Sequence, residues 1–210
     1  MGRKSLKEDR RKEIIQVFYQ VAKKDGLENT SIAKIAKVMD INPSLIIHYF
    51  QTKEDLVYGL IDFILDKYMM IYGNYTNKHG SVEILLKVID NMFSKKWNTL
   101  IDDGVFYSCY SLIFRQKKIK KKYKLLHDSL RDALAELIQK CKEKDALNVQ
   151  DPRFTSEIIF VLLDGAYYYL SLVDSKDEYN LKLEQYKQQA LKMVGLDDFA
   201  VSHINTNDRI

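Results

Sequence analysis

SIAKIAKVMDINPSLIIHYFQTKEDL, Ser31 to Leu56, reads as two short helices joined by a tight turn, then the start of a third. Ser31 is placed to cap a first helix whose inner face is Ile32, Ile35, Ala36 and Met39. Asp40 stands where the chain must turn, and aspartate tolerates the left-handed backbone region better than most residues. Asn42 can cap a second helix with Pro43 at its first position, where the missing N–H costs nothing. That helix is expected over Pro43 to Tyr49, burying Ile46 and Phe50. Thr52 then caps a third, with Glu54 and Asp55 against its positive end. Helix, tight turn, helix is the arrangement that sets a recognition helix in the DNA major groove.

Gly26, Ser31, Ile35–Ala36, Ile41, Asn42, His48–Tyr49–Phe50, Lys53 and Leu56 together resemble the N-terminal signature of the TetR family of transcriptional regulators. Three positions depart from it. Asp40 replaces the usual turn glycine, Ile47 a usual tyrosine, and Ala22 a common first-helix phenylalanine, with Phe18 one turn earlier able to refill that space. The resemblance implies a DNA-binding set of Ser31, Lys34, Asn42, Ser44, Leu45, Ile47, His48, Tyr49 and Lys53. Tyr49 and Lys53 match positions that hold phosphates in the family, and the helix N-terminus at Lys53 is itself anion-binding. Lys34 lies in a first helical turn, where a cation is locally unfavourable; a phosphate or exposure to water would each relieve it. Ser44, Leu45, Ile47 and His48 are expected on the exposed face. Leu45 and Ile47 can touch thymine methyls, unless one of them packs against the helix beginning at Lys53. No second ligand lies at a useful spacing from His48, so it is read as a DNA contact and not a metal ligand.

Composition agrees without deciding the matter. The chain has 210 residues and a net charge of +4; residues 1–60 hold 11 Lys/Arg against 8 Asp/Glu. A basic N-terminal part is the electrostatic footprint of a DNA-binding module. Cys109 and Cys141 sit in apolar helical surroundings without metal-ligand spacing, which fits a reduced, cytoplasmic setting. The N-terminus lacks the apolar core of a signal peptide, and no stretch reaches the ~18 apolar residues of a spanning helix. The four histidines, His48, His79, His127 and His203, are scattered, and no nucleophile–base set or phosphate-cradling loop appears. No enzyme, cofactor, metal or membrane partner is expected.

In chain order, residues 1–12 form a basic arm, either lying on phosphates or simply solvated. A helix is expected from Glu8 to Lys24, with Ile14, Val17, Phe18, Val21 and Ala22 on one face and Gly26 closing it. The helix from Lys53 runs through Leu56, Leu60, Ile64 and Tyr68 to about Tyr75, and Asn74 to Ser81 is a loop. Beyond Ser81 every long segment has helical spacing. Leu85, Ile89, Met92 and Phe93 share a face, with Trp97 near its end. Val105 to Phe114 is a dense aromatic and aliphatic run. A long helix follows to Lys144, with Ile119, Tyr123, Leu126, Leu130, Leu134, Leu137 and Cys141 inward. Asp151–Pro152 opens a helix to Val173, and Glu178 to Val194 forms the last, closing at Gly195.

The fold expected is all-α: a three-helix helix-turn-helix head over residues 1–52, a helical regulatory and dimerisation body over 53–197, and a tail over 198–210. Ile158 to Val173 is apolar nearly all round its helix and must bury both faces; in the family the last two helices form the dimer interface. Phe93, Trp97, Phe106, Tyr107, Tyr110, Phe114, Tyr167 and Tyr168 are candidates for a ligand pocket, as the family has one, or for plain core. Arg115 to Lys124 is the densest basic run, either a second support for DNA binding or a solvated helix end. The function implied is a ligand-responsive repressor: a homodimer on a palindromic double-stranded operator, released by an apolar or aromatic small molecule. The alternative is a helical small-molecule-binding or interaction module that has lost DNA binding.

Overall fold

The computed structural model describes residues 3–73, 81–95, 101–144 and 147–196. Among them the regular structure is wholly helical: α1 (Arg3–Asp25), α2 (Ile32–Met39), α3 (Pro43–Tyr49), α4 (Lys53–Gly73), α5 (Val82–Met92), α6 (Asp103–Ser111), α7 (Lys117–Lys142), α8 (Pro152–Leu170) and α9 (Lys176–Met193). The expected loop at 74–80, Trp97 and the tail lie outside the described residues. The chain divides into two compact units, Met1–Tyr68 with Ile101–Leu125, and Met69–Leu100 with Leu126–Ile210.

In the first unit, α1 begins at Arg3, ahead of the expected Glu8, so the basic arm is helical. Its Lys, Arg, Leu and Glu residues favour helix, and each residue added to an existing helix gains a hydrogen bond. Ile14, Phe18 and Ala22 are buried along α1, and Phe18 occupies core one turn before the small Ala22. Gly26, at φ +86°, ends the helix by donating its N–H to the Ala22 carbonyl at 2.9 Å. The Tyr19 hydroxyl accepts from the Asp102 N–H at 2.9 Å, tying α1 to the start of α6, where Asp102 itself caps the helix.

Gly59 of α4 is the closest approach in this unit. A Cβ built there would lie 2.7 Å from Ile15 Cδ1 and 3.1 Å from Phe50 Cε1. Gly59→Leu should therefore overpack the unit and destabilise it by about 1–3 kcal/mol, measured by urea unfolding. Gly59→Ala should be far milder, because the Ile15 methyl can move and alanine is the better helix former. Equal stability of the leucine variant and the wild type would contradict this packing.

The aromatic run of 105–114 does not form one helix. α6 stops at Ser111, and a 3₁₀ turn, Leu112–Phe114, leads to α7. Val105 and Cys109 face inward, and burial alone pushes the Cys109 thiol up to about 12, so it stays protonated and inert.

In the second unit, the hydroxyl of Ser81 caps α5, accepting from the Ile84 N–H, and Leu85, Val88, Ile89 and Met92 are buried. The inward face of the later part of α7 is Leu126, Leu130, Leu134, Ile138 and Cys141. Leu137, expected on that face, is only half-buried; after Leu134 the stripe steps by four to Ile138, then by three to Cys141. Asp151 caps α8 with Pro152 at its first position. The buried Ser156 hydroxyl donates to the Arg131 carbonyl at 2.7 Å, lashing α8 to α7. α9 ends where Gly195, at φ +71°, and Leu196 turn their N–H groups back to Lys192 and Leu191, both at 3.0 Å.

Candidate nucleic-acid interface

The caps expected at the helix-turn-helix are formed. Ser31 accepts from the Lys34 N–H at 3.2 Å, and Asn42 from the Ser44 N–H at 2.9 Å. Asp40 adopts the left-handed conformation, φ 52° and ψ 47°. The turn closes with Asp40 N–H on the Lys37 carbonyl at 3.3 Å and Ile41 N–H on the Ala36 carbonyl at 3.0 Å. Aspartate thus makes the turn that glycine makes elsewhere in the family. At the start of α4, Thr52 accepts from the Asp55 N–H while the Asp55 carboxylate accepts from the Thr52 N–H, a reciprocal cap.

α3 buries Ile46 and Phe50, and this choice leaves Ser44, Leu45, Ile47 and His48 exposed. Leu45 and Ile47 are 37 % and 47 % exposed, so neither is used up in packing against α4. Val38 on α2 is exposed as well, an apolar surface residue that sequence reading missed. The His48 ring stands edge-on to the Tyr49 ring at 5.2 Å.

Three cations have partners that their spacing did not announce. Lys34 pairs with Asp25 at 2.8 Å, which relieves its awkward place in the first turn and holds the Asp25 carboxyl below its ordinary pKa. Lys53 donates to the Glu28 carbonyl at 3.0 Å; an ammonium has three donors, so two remain for a phosphate. Arg11 donates to the Tyr49 carbonyl and stacks 4.1 Å over the Phe50 ring, which makes it a brace for α3 and not a loose arm residue.

The aromatic candidates separate. Phe106 meets Tyr68, Tyr107, Tyr110 and Tyr123 at ring distances of 5.3–6.4 Å in the first unit. Phe93 and Tyr167 belong to the second, where the Tyr167 hydroxyl donates to the Met92 and Ser94 carbonyls. Phe114 and Tyr168 are 80 % and 62 % exposed and stand on the surface instead of lining an interior. A cleft of about 510 Å³ in the first unit has other walls, among them Thr52, Lys53, Ser111 and Gln116.

A capped helix, a left-handed turn and a second helix with an outward polar and apolar face define a helix-turn-helix DNA-binding protein. Residues 14–58 match the family described as bacterial regulatory proteins, tetR family, and residues 80–196 match the tetracyclin repressor-like C-terminal domain. The chain belongs to the TetR family of transcriptional regulators. Among curated relatives, nucleoid occlusion factor SlmA of Actinobacillus pleuropneumoniae is 25% identical over 197 residues, 91% of this chain and 94% of that protein. An HTH-type transcriptional regulator of Staphylococcus aureus is 27% identical over 111 residues, 51% of this chain and 56% of the relative. The fold is shared with a TetR transcription regulator from Haloarcula marismortui, at TM-score 0.77 and 18% identity over 89% of this chain and 97% of that one. A Saccharomonospora viridis structure described as a transcriptional regulator in complex with choline gives TM-score 0.71 at 14% identity, over 88% and 96% of the two chains. No described helix is long and apolar enough to cross a membrane.

Proposed function

We propose that this regulator is a ligand-responsive repressor that grips a palindromic double-stranded operator as a homodimer, with residues 1–52 binding DNA and 53–197 regulating and pairing. The observation that carries DNA reading is the outward face of α3: Ser44, Leu45, Ile47 and His48 are all exposed while Ile46 is fully buried. Ser31, Lys34, Asn42, Tyr49 and Lys53 surround that face and are assigned to the phosphates. For Lys34 this requires exchanging Asp25 for a phosphate, two comparable charge pairs in water.

Leu45 and Ile47 cannot form a hydrogen bond to guanine, but they can fill space against thymine methyls. The half-site should carry A·T pairs under α3, and Ile47→Ala should relax preference there by about 1 kcal/mol or less. Exchanging those thymines for uracil removes the methyls and keeps the pairing. Titration should show the exchange weakening wild type and leaving Ile47→Ala unaffected; equal loss in both would mean that Ile47 does not read methyls.

Lys53→Ala should weaken binding to all sequences alike and lower the slope of log K against log salt by about 1.8, the share of two phosphates, one for each protomer. The helix start survives, because its cap is Thr52 and Asp55. A loss confined to certain sequences would make Lys53 a base reader instead.

For the effector, the ring cluster of Phe106, Tyr110 and Tyr123 supports an aromatic or apolar guest. The Tyr123 hydroxyl is buried and, among the described residues, has no hydrogen-bond partner. Leaving a buried polar group unsatisfied costs about 1–3 kcal/mol, which a guest offering an acceptor would recover. Such a guest relieves repression only by binding the DNA-incompetent state more tightly.

A further inference from the structure

Seven of the ten residues from Arg115 to Lys124, RQKKIKKKYK, are cationic and none is acidic. These seven charges exceed the net charge of the whole chain, +4, so the rest of the molecule is net acidic. They also crowd the start of α7, whose first turn holds no acid and whose end already bears partial positive charge. Like charges crowded at a positive helix end repel one another, and a bound polyanion would offset that repulsion.

Lys122 and Lys118 are engaged within the first unit. Lys122 pairs with Asp62 of α4, and the Lys118 ammonium lies 4.3 Å over the Tyr58 ring, also of α4. With Ile119 and Tyr123 buried, these contacts pin one side of the first turns of α7 and turn Lys117, Lys120 and Lys121 outward. Arg115, Lys117, Lys120 and Lys121 are exposed, and among the described residues no carboxylate pairs with them. Lys117 and Lys121 stand about 6 Å apart along the helix axis, close to two 3.4 Å steps of one DNA strand.

This basic turn shares its compact unit with the helix-turn-helix. The 510 Å³ cleft joins the two, lined by Thr52 and Lys53 from the head and by Ser111, Leu112 and Gln116 from the segment leading into α7. We infer that Arg115, Lys117, Lys120 and Lys121 form a second phosphate-binding surface, which holds DNA flanking the half-site without reading its sequence. The inference rests on the reading that α3 binds DNA. A lipid surface could also use this patch, since Phe114 and Leu125 are exposed nearby; the unit shared with the DNA-reading helices favours the nucleic acid.

The test compares wild type with two triple variants, K117Q/K120Q/K121Q and K117R/K120R/K121R. Two duplexes are titrated at 0.1 M salt: the site that wild type selects from a random pool, and that site extended by ~15 base pairs at each end, more than one helical turn. Wild type should bind the long duplex about tenfold or more tightly than the short one. The glutamine triple should lose that advantage, with its salt slope on the long duplex lower by up to about 5.4, or 0.9 for each of the phosphates that the two protomers release. On the short duplex it should match wild type within about twofold, and the arginine triple should match wild type on both. The inference is overturned if the glutamine triple keeps the long-duplex advantage, if it loses both duplexes equally, or if the arginine triple fails with it. Loss of binding to phosphatidylglycerol vesicles with DNA binding intact would assign the patch to a lipid surface, and overturn it too. A wild type that selects no site overturns the α3 reading itself, an outcome in which neither variant takes part.

Discussion

Placing glutamates at Val161 and Tyr168 is expected to split the proposed homodimer into monomers and to abolish binding to the proposed operator at working concentrations. α8 buries Ile159, Phe160, Leu163, Ala166 and Leu170 against its own unit, yet its other face also carries large apolar side chains, interrupted by Glu157 and Asp164. Phe154, Val161, Tyr168 and Leu172 are exposed there, and Gly165 falls in the same stripe at steps of three and four. A Cβ at Gly165 would have no atom within 4 Å, so this side of the helix is open to a close neighbour. Leu181 on α9 is exposed as well. An apolar face of this kind marks an interaction surface, and a second copy would cover it with itself. Two carboxylates per chain buried in that contact would cost several kcal/mol each, more than most dimers can spare. Sedimentation should give about twice 24.7 kDa for wild type and the single-chain mass for V161E/Y168E. Operator affinity should fall by roughly 10²-fold or more, because two linked heads bind far more tightly than one. A variant that stays dimeric would remove these two helices from the interface.

Phe50→Ala should destabilise the first unit by about 3–5 kcal/mol, the usual cost of emptying a buried phenylalanine site. Phe50 is 1 % exposed and closes α3, donating its N–H to the Ile46 carbonyl at 2.9 Å. Its ring fills the space that Gly59 leaves free and carries the Arg11 guanidinium at 4.1 Å. Removing it leaves Arg11 stacked on nothing and the recognition helix without its anchor. Against a typical total stability of about 5–15 kcal/mol, that loss would unfold a sizeable share of molecules at 37 °C. Urea unfolding followed by circular dichroism measures it. A change below about 1 kcal/mol would show that Phe50 does not seat α3.

The residues that were legible in the sequence act over one helical turn. Ser31, Asn42–Pro43, Thr52, Ser81 and Asp151–Pro152 start helices as their side chains predict, and Gly26, Asp40 and Gly195 take the left-handed ends. The exposed quartet on α3 was legible too, because burying Ile46 and Phe50 leaves those positions no other side. What escaped depends on partners far along the chain. Arg11 reaches the Tyr49 carbonyl 38 residues away, and Gly59 is constrained by Ile15. Lys34 finds Asp25, so its unfavourable position was relieved by the protein before any phosphate was needed. Two of the aromatic candidates were misplaced for a related reason. In helices apolar on several faces, spacing alone does not say which rings turn inward, and Phe114 and Tyr168 turn out.

The claim at the centre is that two copies of α3 read DNA as a symmetric pair. Selection of bound duplexes from a random pool, followed by sequencing, tests it most directly. The account predicts an inverted repeat rich in A·T pairs, with half-site centres about 10–10.5 base pairs apart or a multiple of that. Enrichment of a single unrepeated motif, or no enrichment at all, would contradict it.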